Sequence, residues 1–258
     1  MAATDDIIKP KGYCASDIER TGKGLVDVTF AIGWSHSDQS LKNITSGQIC
    51  YDFGLNLEEI DKMDHEEKVK TIRKFWKFNG YEMRCFDEFW SKNIDTFISI
   101  QHIARSNVID CESMSNVIHV FNEELKKIEA KYSQLNIITD TTMFDTVWLN
   151  HLLLEHGYAP LNYDRSGKKY RWGYETDSYA LGALGCTPED DWKKYDDLLK
   201  EKIDSICPEI TAEHDHIPKN DAKSILIRFL KTMKYCASIR EYRVQNEQDH
   251  SPKRIRQE

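Results

Sequence analysis

Residues 12–34 constrain the fold most. A short apolar segment at 12–15 runs into Asp17, Ile18 and Glu19, and after residues 20–23 comes GLVDVTFAIGW, which alternates well enough to be a strand. Two strand-like segments joined this closely read as a β-hairpin whose first strand carries DIE. Such a hairpin needs a partner layer, and the rest of the chain supplies helices and further strands in alternation, which is an α/β pattern.

Residues 51–57 read as another strand, ahead of the acidic stretch 58–64. From about 65 to 130 the period turns helical. EEKVKTIRKFWKFNG predicts a helix ending near Gly80, CFDEFWSKNIDTFISIQHIARS continues with aromatics three and four apart, and SMSNVIHVFNEELKKIEAKY carries Met114, Ile118, Phe121 and Leu125 on one side. LNIITD is a compact strand, FDTVWLNHLLLEHG is a helix that stops at Gly157, and a loop with Tyr163, Arg165 and Gly167 follows. An acidic helix at about 189–204 and a final helix, NDAKSILIRFLKTMKYCASI, complete the core. The organisation expected is one α/β domain over 1–242 with a helical insertion at about 65–130, then a polar, flexible tail at 243–258.

Charge narrows the function. Against 35 Lys plus Arg stand 43 Asp plus Glu, a net charge of −8, which argues against a protein that coats nucleic acid non-specifically but suits a site that collects carboxylates for cations. Seven dispersed cysteines without a CxxC pair fit free thiols in a reducing compartment. The opening residues lack a signal-peptide pattern and no apolar run reaches membrane-spanning length, so the expected location is cytoplasmic or otherwise intracellular, with no membrane partner.

Three short motifs carry chemistry. In Asp17-Ile18-Glu19, positions i and i+2 of a strand place both carboxylates on one face. Asp145 follows the LNIITD strand, after Asp140 and a short turn, at the start of an apolar helix. His216-Ile217-Pro218-Lys219-Asn220-Asp221-Ala222 precedes the last helix, with Pro and Asn constraining the turn between His216 and Asp221. Histidine is the natural general base near neutral pH.

In order and spacing, Asp17-x-Glu19-x-Thr21-Gly22, then Phe144-Asp145, then His216 with Asp221-Ala222, resemble the three motifs of the DEDDh 3′–5′ exonucleases. Phe89-Trp90 and TDTTMFD look most like the RNase T-like 3′ exoribonucleases of bacteria and viruses. The resemblance implies an RNase H-like mixed β-sheet flanked by α-helices and two divalent cations, Mg²⁺ or Mn²⁺, on Asp17, Glu19, Asp145 and Asp221. It also implies His216 as the base, with His214 as the runner-up. The implied partner is single-stranded nucleic acid with a free 3′ end, RNA favoured, and the product a nucleoside 5′-monophosphate; relatives are often homodimers. An exodeoxyribonuclease and a catalytically silent nucleic-acid-binding protein are the alternatives. Many relatives carry Asn in the turn where Thr141 and Thr142 stand here.

Other residues need weighing. Thr21, Gly22, Met143 and Phe144 are the expected contacts to the terminal nucleotide. Asp27 reads as a residue on the polar face of the second strand, and Asp140 and Asp177 as neighbours of the site or solvated. Phe75, Trp76, Phe86, Phe89 and Trp90 fall at helical spacing and read as core. Lys168, Lys169 and Arg171 form a small positive patch that could meet phosphates.

Overall fold

The computed structural model describes residues 9–23, 27–106, 113–140, 142–184, 192–211 and 213–249, with backbone only at 142, 143, 181, 183, 184, 192–196 and 241–249. In chain order the elements are β1 (Lys11–Arg20), β2 (Thr29–Asp38), β3 (Thr45–Cys50), α1 (Leu57–Ile60), α2 (His65–Phe78), the single turn α3 (Met83–Cys85), a π-helical turn Phe86–Trp90, α4 (Ile94–Ser106) and α5 (Met114–Lys131). Then come β4 (Gln134–Thr139), a second π-helical turn Thr142–Thr146, α6 (Val147–Glu155), β5 (Gly173–Glu175), α7 (Thr176–Leu184), α8 (Trp192–Asp204) and α9 (Pro218–Asp249).

The five strands form one mixed sheet in the order β3-β2-β1-β4-β5. β2 pairs antiparallel with β1 and β3, while β4 is parallel to β1 and to β5, so β2 alone runs against the others. The hairpin read from the sequence is present, but its second strand lies later than 24–34 and continues through polar Ser35, His36 and Ser37. These three are buried because the ladder, from Ala31 opposite Glu19 to Asp38 opposite Gly12, outweighs their polarity. Likewise the third strand is Thr45–Cys50 rather than 51–57. It is an edge strand with an exposed beginning, so it shows little apolar alternation. Residues 51–56 instead feed Phe53 into an aromatic cluster with Phe30, Phe75 and Phe97.

Central β1 is buried on both faces. Cys14 and Ile18 meet Val117, Ile118, Phe121 and Leu125 of α5 and Leu149 and Leu153 of α6. On the other face, Tyr13 and Ala15 meet Ile225, Leu226, Phe229 and Leu230 of α9. The expected insertion therefore divides in two. α5 is a layer of the sheet domain, whereas α1 to α4 build a second core, with Trp76, Phe86, Trp90 and Phe97 around Phe30 of β2. α2 starts on a capping box, Asp64 accepting from the Glu67 N–H while Glu67 reaches back to the Asp64 N–H. The last helix extends through Asp249, seven residues into the segment expected to be a tail, because nothing in RVQNEQD breaks a helix. Among the described residues no helix is long and apolar enough to cross a membrane.

Candidate metal centre

The arrangement begins with a match of periods. On β1, Asp17 and Glu19 continue the face that carries Tyr13 and Ala15, towards α9. Four residues of helix advance about 6 Å and two residues of strand about 6.6 Å. Phe229 lies on Tyr13 (ring centroids 6.0 Å apart), Ile225 joins the same cluster, and Asp221, one turn earlier still, arrives at Asp17 and Glu19. One carboxylate oxygen from each of these three acids lies within 4.8 Å of the others.

What seats α9 is Gly33. It is the ladder partner of Asp17, and a Cβ there would stand 2.1 Å from the Pro218 carbonyl group. No side chain fits between β2 and the helix start. Pro218 at the first helical position loses nothing by lacking an N–H. The Asp215 carboxylate accepts from the Ile217 N–H (3.0 Å) and the Asn220 side chain (2.9 Å), and the Asp215 N–H donates to Asp221 Oδ1 (3.0 Å).

The C-terminal end of β1 is held from the other side. Its ladder slips between Glu19 and Arg20, where β2 skips Phe30, a bulge that frees the strand end from regular pairing. The Trp90 indole N–H donates to the Arg20 carbonyl (3.0 Å) and that of Trp76 to the Thr21 carbonyl (3.1 Å). The aromatic core thus grips the backbone immediately after Glu19.

Asp145 sits in the π-helical turn after β4, buried, and with Asp140 adds negative charge to the cluster. Burial, then Glu19, Asp145, Asp221 and Asp140, pushes the Asp17 carboxyl well above the usual carboxylate range. Glu19 is raised by burial and then by Asp221 and Asp145. Burial and Asp140 push Asp145 up to about 7. Asp221 is raised by burial, which outweighs the opposing pull of His214, the Asp215 N–H and His216. Asp17 Oδ2 is fully buried with no hydrogen-bond partner. Such a group is costly unless something of opposite charge completes it.

Both histidines reach Asp221. His214 Nδ1 is 3.4 Å from Oδ2 and largely exposed; His216 Nδ1 is 3.9 Å away, less exposed, and its ring stands edge-on to Phe89 at 4.8 Å. His216 adopts φ 60°, uncommon outside glycine, and a strained backbone of this kind persists only where its surroundings hold it. His214, His216 and Asp221 form a second cluster with ligand atoms within 4.8 Å.

The structure brings Asp17, Glu19 and Asp221 within ligand distance of one another, with Asp145 close enough to act on their charge and His216 reaching Asp221, but treats the expected substrate contacts unevenly. Gly22 and Phe144 line a cleft of 330 Å³ beside Glu19, together with Arg84, Glu88 and Phe89. Phe89, read as core from its spacing, is only partly buried and faces both this cleft and His216. Thr21 is fully buried; its hydroxyl donates to Asp27 Oδ1 and accepts from the Val28 N–H, so it braces the hairpin loop rather than a ligand. Asp27 is buried in that loop and accepts from the Glu82 N–H, instead of lying on a polar strand face. The Met143 side chain and Thr141 lie outside the described residues. Arg171 is buried and paired with Glu129 at 2.5 Å, which leaves only Lys168 and Lys169 of the expected positive patch exposed. Asp177 pairs with Arg228 at 3.0 Å.

No family model, curated protein or solved structure matches the chain.

Proposed function

We propose that this protein is a metal-dependent 3′–5′ exonuclease of the DEDDh type on an RNase H-like sheet, acting on single-stranded RNA ends and releasing nucleoside 5′-monophosphates. The observation that carries the reading is the convergence of Asp17, Glu19 and Asp221 around a buried Asp17 oxygen without a partner, with Asp145 and two histidines alongside. The mixed sheet with helices on both faces of β1 supports the same reading.

The donor set fits hard cations. Four carboxylates supply oxygen ligands of the kind Mg²⁺ and Mn²⁺ favour, so Asp17, Glu19, Asp145 and Asp221 are the residues that would hold a pair of them. Such cations, when bound, supply Lewis acidity towards a phosphodiester and acidify water. His216 stands to accept the proton of an attacking water, its ring set by Phe89 and by the turn that fixes its backbone. The cleft beside Glu19 is at the small end of ligand sites and suits one terminal nucleotide, with Phe89 and Phe144 as apolar surfaces for its base.

The test is a time course with 5′-labelled single-stranded RNA and matched DNA in Mg²⁺, Mn²⁺ or chelator. Metal-dependent shortening from the 3′ end, faster on RNA, is expected. Faster cleavage of DNA reassigns the substrate, and strands that stay intact with every metal overturn catalysis.

A further inference from the structure

Between α6 and β5 the chain turns back on itself as a short ribbon. Tyr163 bridges Tyr170 antiparallel, the Asp164 N–H donates to the Lys169 carbonyl (2.8 Å) and the Arg171 N–H to the Asn162 carbonyl (2.8 Å). Two arginines brace its inner side. Arg171 is buried against Glu129 of α5, and Arg165 donates to the carbonyls of Ala159 (2.8 Å), Pro160 (2.6 Å) and Tyr163 (2.9 Å). Side chains alternate along extended backbone, so an inward Arg171 turns its neighbours Tyr170 and Trp172 outward. Both are 61% exposed, and Tyr163 37%. The three rings form an edge-to-face row, Tyr163 to Tyr170 at 5.8 Å and 90°, and Tyr170 to Trp172 at 6.2 Å and 83°.

Three adjoining rings held in water by a braced backbone mark a contact surface. Their surroundings state its chemistry. Lys168 and Lys169 are exposed at the tip of the ribbon, in a chain whose net charge is −8. Asp164, the one acid between residues 162 and 172, closes the turn by accepting from the Ser166 hydroxyl and the N–H groups of Lys168 and Lys169. Lysine is depleted where proteins meet proteins, whereas rings flanked by cations hold a single nucleic-acid strand, bases on the rings and phosphates on the ammonium groups. The ribbon also opens on the acidic face of the sheet. Tyr174, two residues beyond Trp172, packs on Phe229 in the cluster that holds Tyr13, on the face carrying Asp17 and Glu19, while Arg171 reaches α5 on the other. Gly173 aligns with Ile137, and Ile137 with Cys14. Trp172 therefore stands two strand spacings, about 10 Å, to the side of β1 and about 13 Å back along it from Asp17, roughly 16 Å in all. At about 3.4 Å per stacked nucleotide, that is roughly five nucleotides. We infer that Tyr163, Tyr170 and Trp172, with Lys168 and Lys169, form a platform that holds single-stranded nucleic acid, stacking bases about five nucleotides upstream of an end seated at the acidic centre. The placing of that end rests on the exonuclease reading; the platform itself does not.

The experiment is fluorescence anisotropy of the full chain, in chelator so that nothing is cleaved, with 5′-labelled single-stranded RNA of about 12 nucleotides. Cleavage of the same strand and of a dinucleotide in Mn²⁺ follows. Trp172→Ala and Tyr170→Ala, at exposed positions outside the core, should each weaken binding about fivefold or more, and Trp172→Phe, which keeps a ring, should recover most of the loss. Lys168→Glu with Lys169→Glu should weaken binding and make it less dependent on salt. In cleavage, Trp172→Ala should slow the longer strand far more than the dinucleotide, which is too short to reach the ribbon. The platform is overturned if the parent chain binds no strand, if affinity is blind to both ring deletions, or if both lengths slow equally. It falls as well if the ring deletions change the mass of the chain in sedimentation rather than its affinity, since the rings would then join copies of the chain. Binding through the ribbon without any cleavage upholds the platform and sinks the exonuclease reading; cleavage with an affinity blind to the ring deletions does the reverse.

Discussion

The two sides of the first turns of α9 handle charge differently. Towards the sheet, four carboxylates crowd together and one Asp17 oxygen has no partner. Away from it, Arg228 is paired with Asp177, and Asp204 shares the cavity wall that Lys200 and Lys231 line. Only the acidic side is an unfavourable arrangement of like charge, and it is made favourable by a guest of the opposite sign. A buried charge left unsatisfied in an otherwise well-packed core is thus more informative than the many satisfied ones, and its sign states what is to be bound.

The strongest test of that contrast is removal of the acid. Asp17→Asn should lower exonuclease activity by about 10²–10³-fold or more, the scale of losing a principal electrostatic contributor, and yet raise the melting temperature of the metal-free protein by relieving repulsion. A fall in both would mean that Asp17 is needed for packing rather than for a cation. Next in size is Gly33→Ala. Its Cβ would collide with Pro218, so the start of α9 must shift, costing about 1–3 kcal/mol in denaturant unfolding and impairing cleavage. Unchanged stability would show that the helix start is not seated by that glycine.

The dependence on pH should separate the sides further. A carboxyl raised from its ordinary value to about 7, as Asp145 is, holds more protons folded than unfolded across that interval. Its contribution to stability is therefore fully present below about pH 4 and is lost as pH rises through about 7, at up to about 1.4 kcal/mol per pH unit. Urea midpoints of the metal-free protein from pH 5 to 8 should show this fall, Asp145→Asn should flatten it, and Mg²⁺ should restore stability most at the alkaline end. A slope unaltered by Asp145→Asn would assign the titration elsewhere. The smallest effect expected is from Trp76→Phe, which removes the indole donor to the Thr21 carbonyl and should cost about 1–2 kcal/mol with a modest loss of cleavage.

The acidic side was legible in the sequence, for a physical reason. Asp17 and Glu19 sit two apart on a strand, and Asp145 and Asp221 at helix beginnings, so local periodicity already orients them. Arg228 and Asp177, by contrast, pair across two helices whose facing sides are decided by packing, and no short spacing announces them. The same limit explains the other differences. Phe89 and Trp90 are neighbours at helical spacing, yet Trp90 is buried with its N–H on Arg20 while Phe89 faces His216. Arg171 looked like surface charge because Glu129, its partner, lies 42 positions earlier. The strand at 45–50 was missed because an edge position tolerates polar residues that a central strand would not.

The agreement in step between α9 and β1 also sets where this chain can change length. One residue inserted between Asp221 and Phe229 would turn the acid about 100° around the helix axis relative to the aromatic that anchors it, taking it off the sheet. An insertion at 205–211, before the helix begins, would lengthen a connection and leave that alignment untouched. Insertion scanning should therefore find the nine positions from Asp221 to Phe229 intolerant as a block, a ruler rather than a set of separate residues.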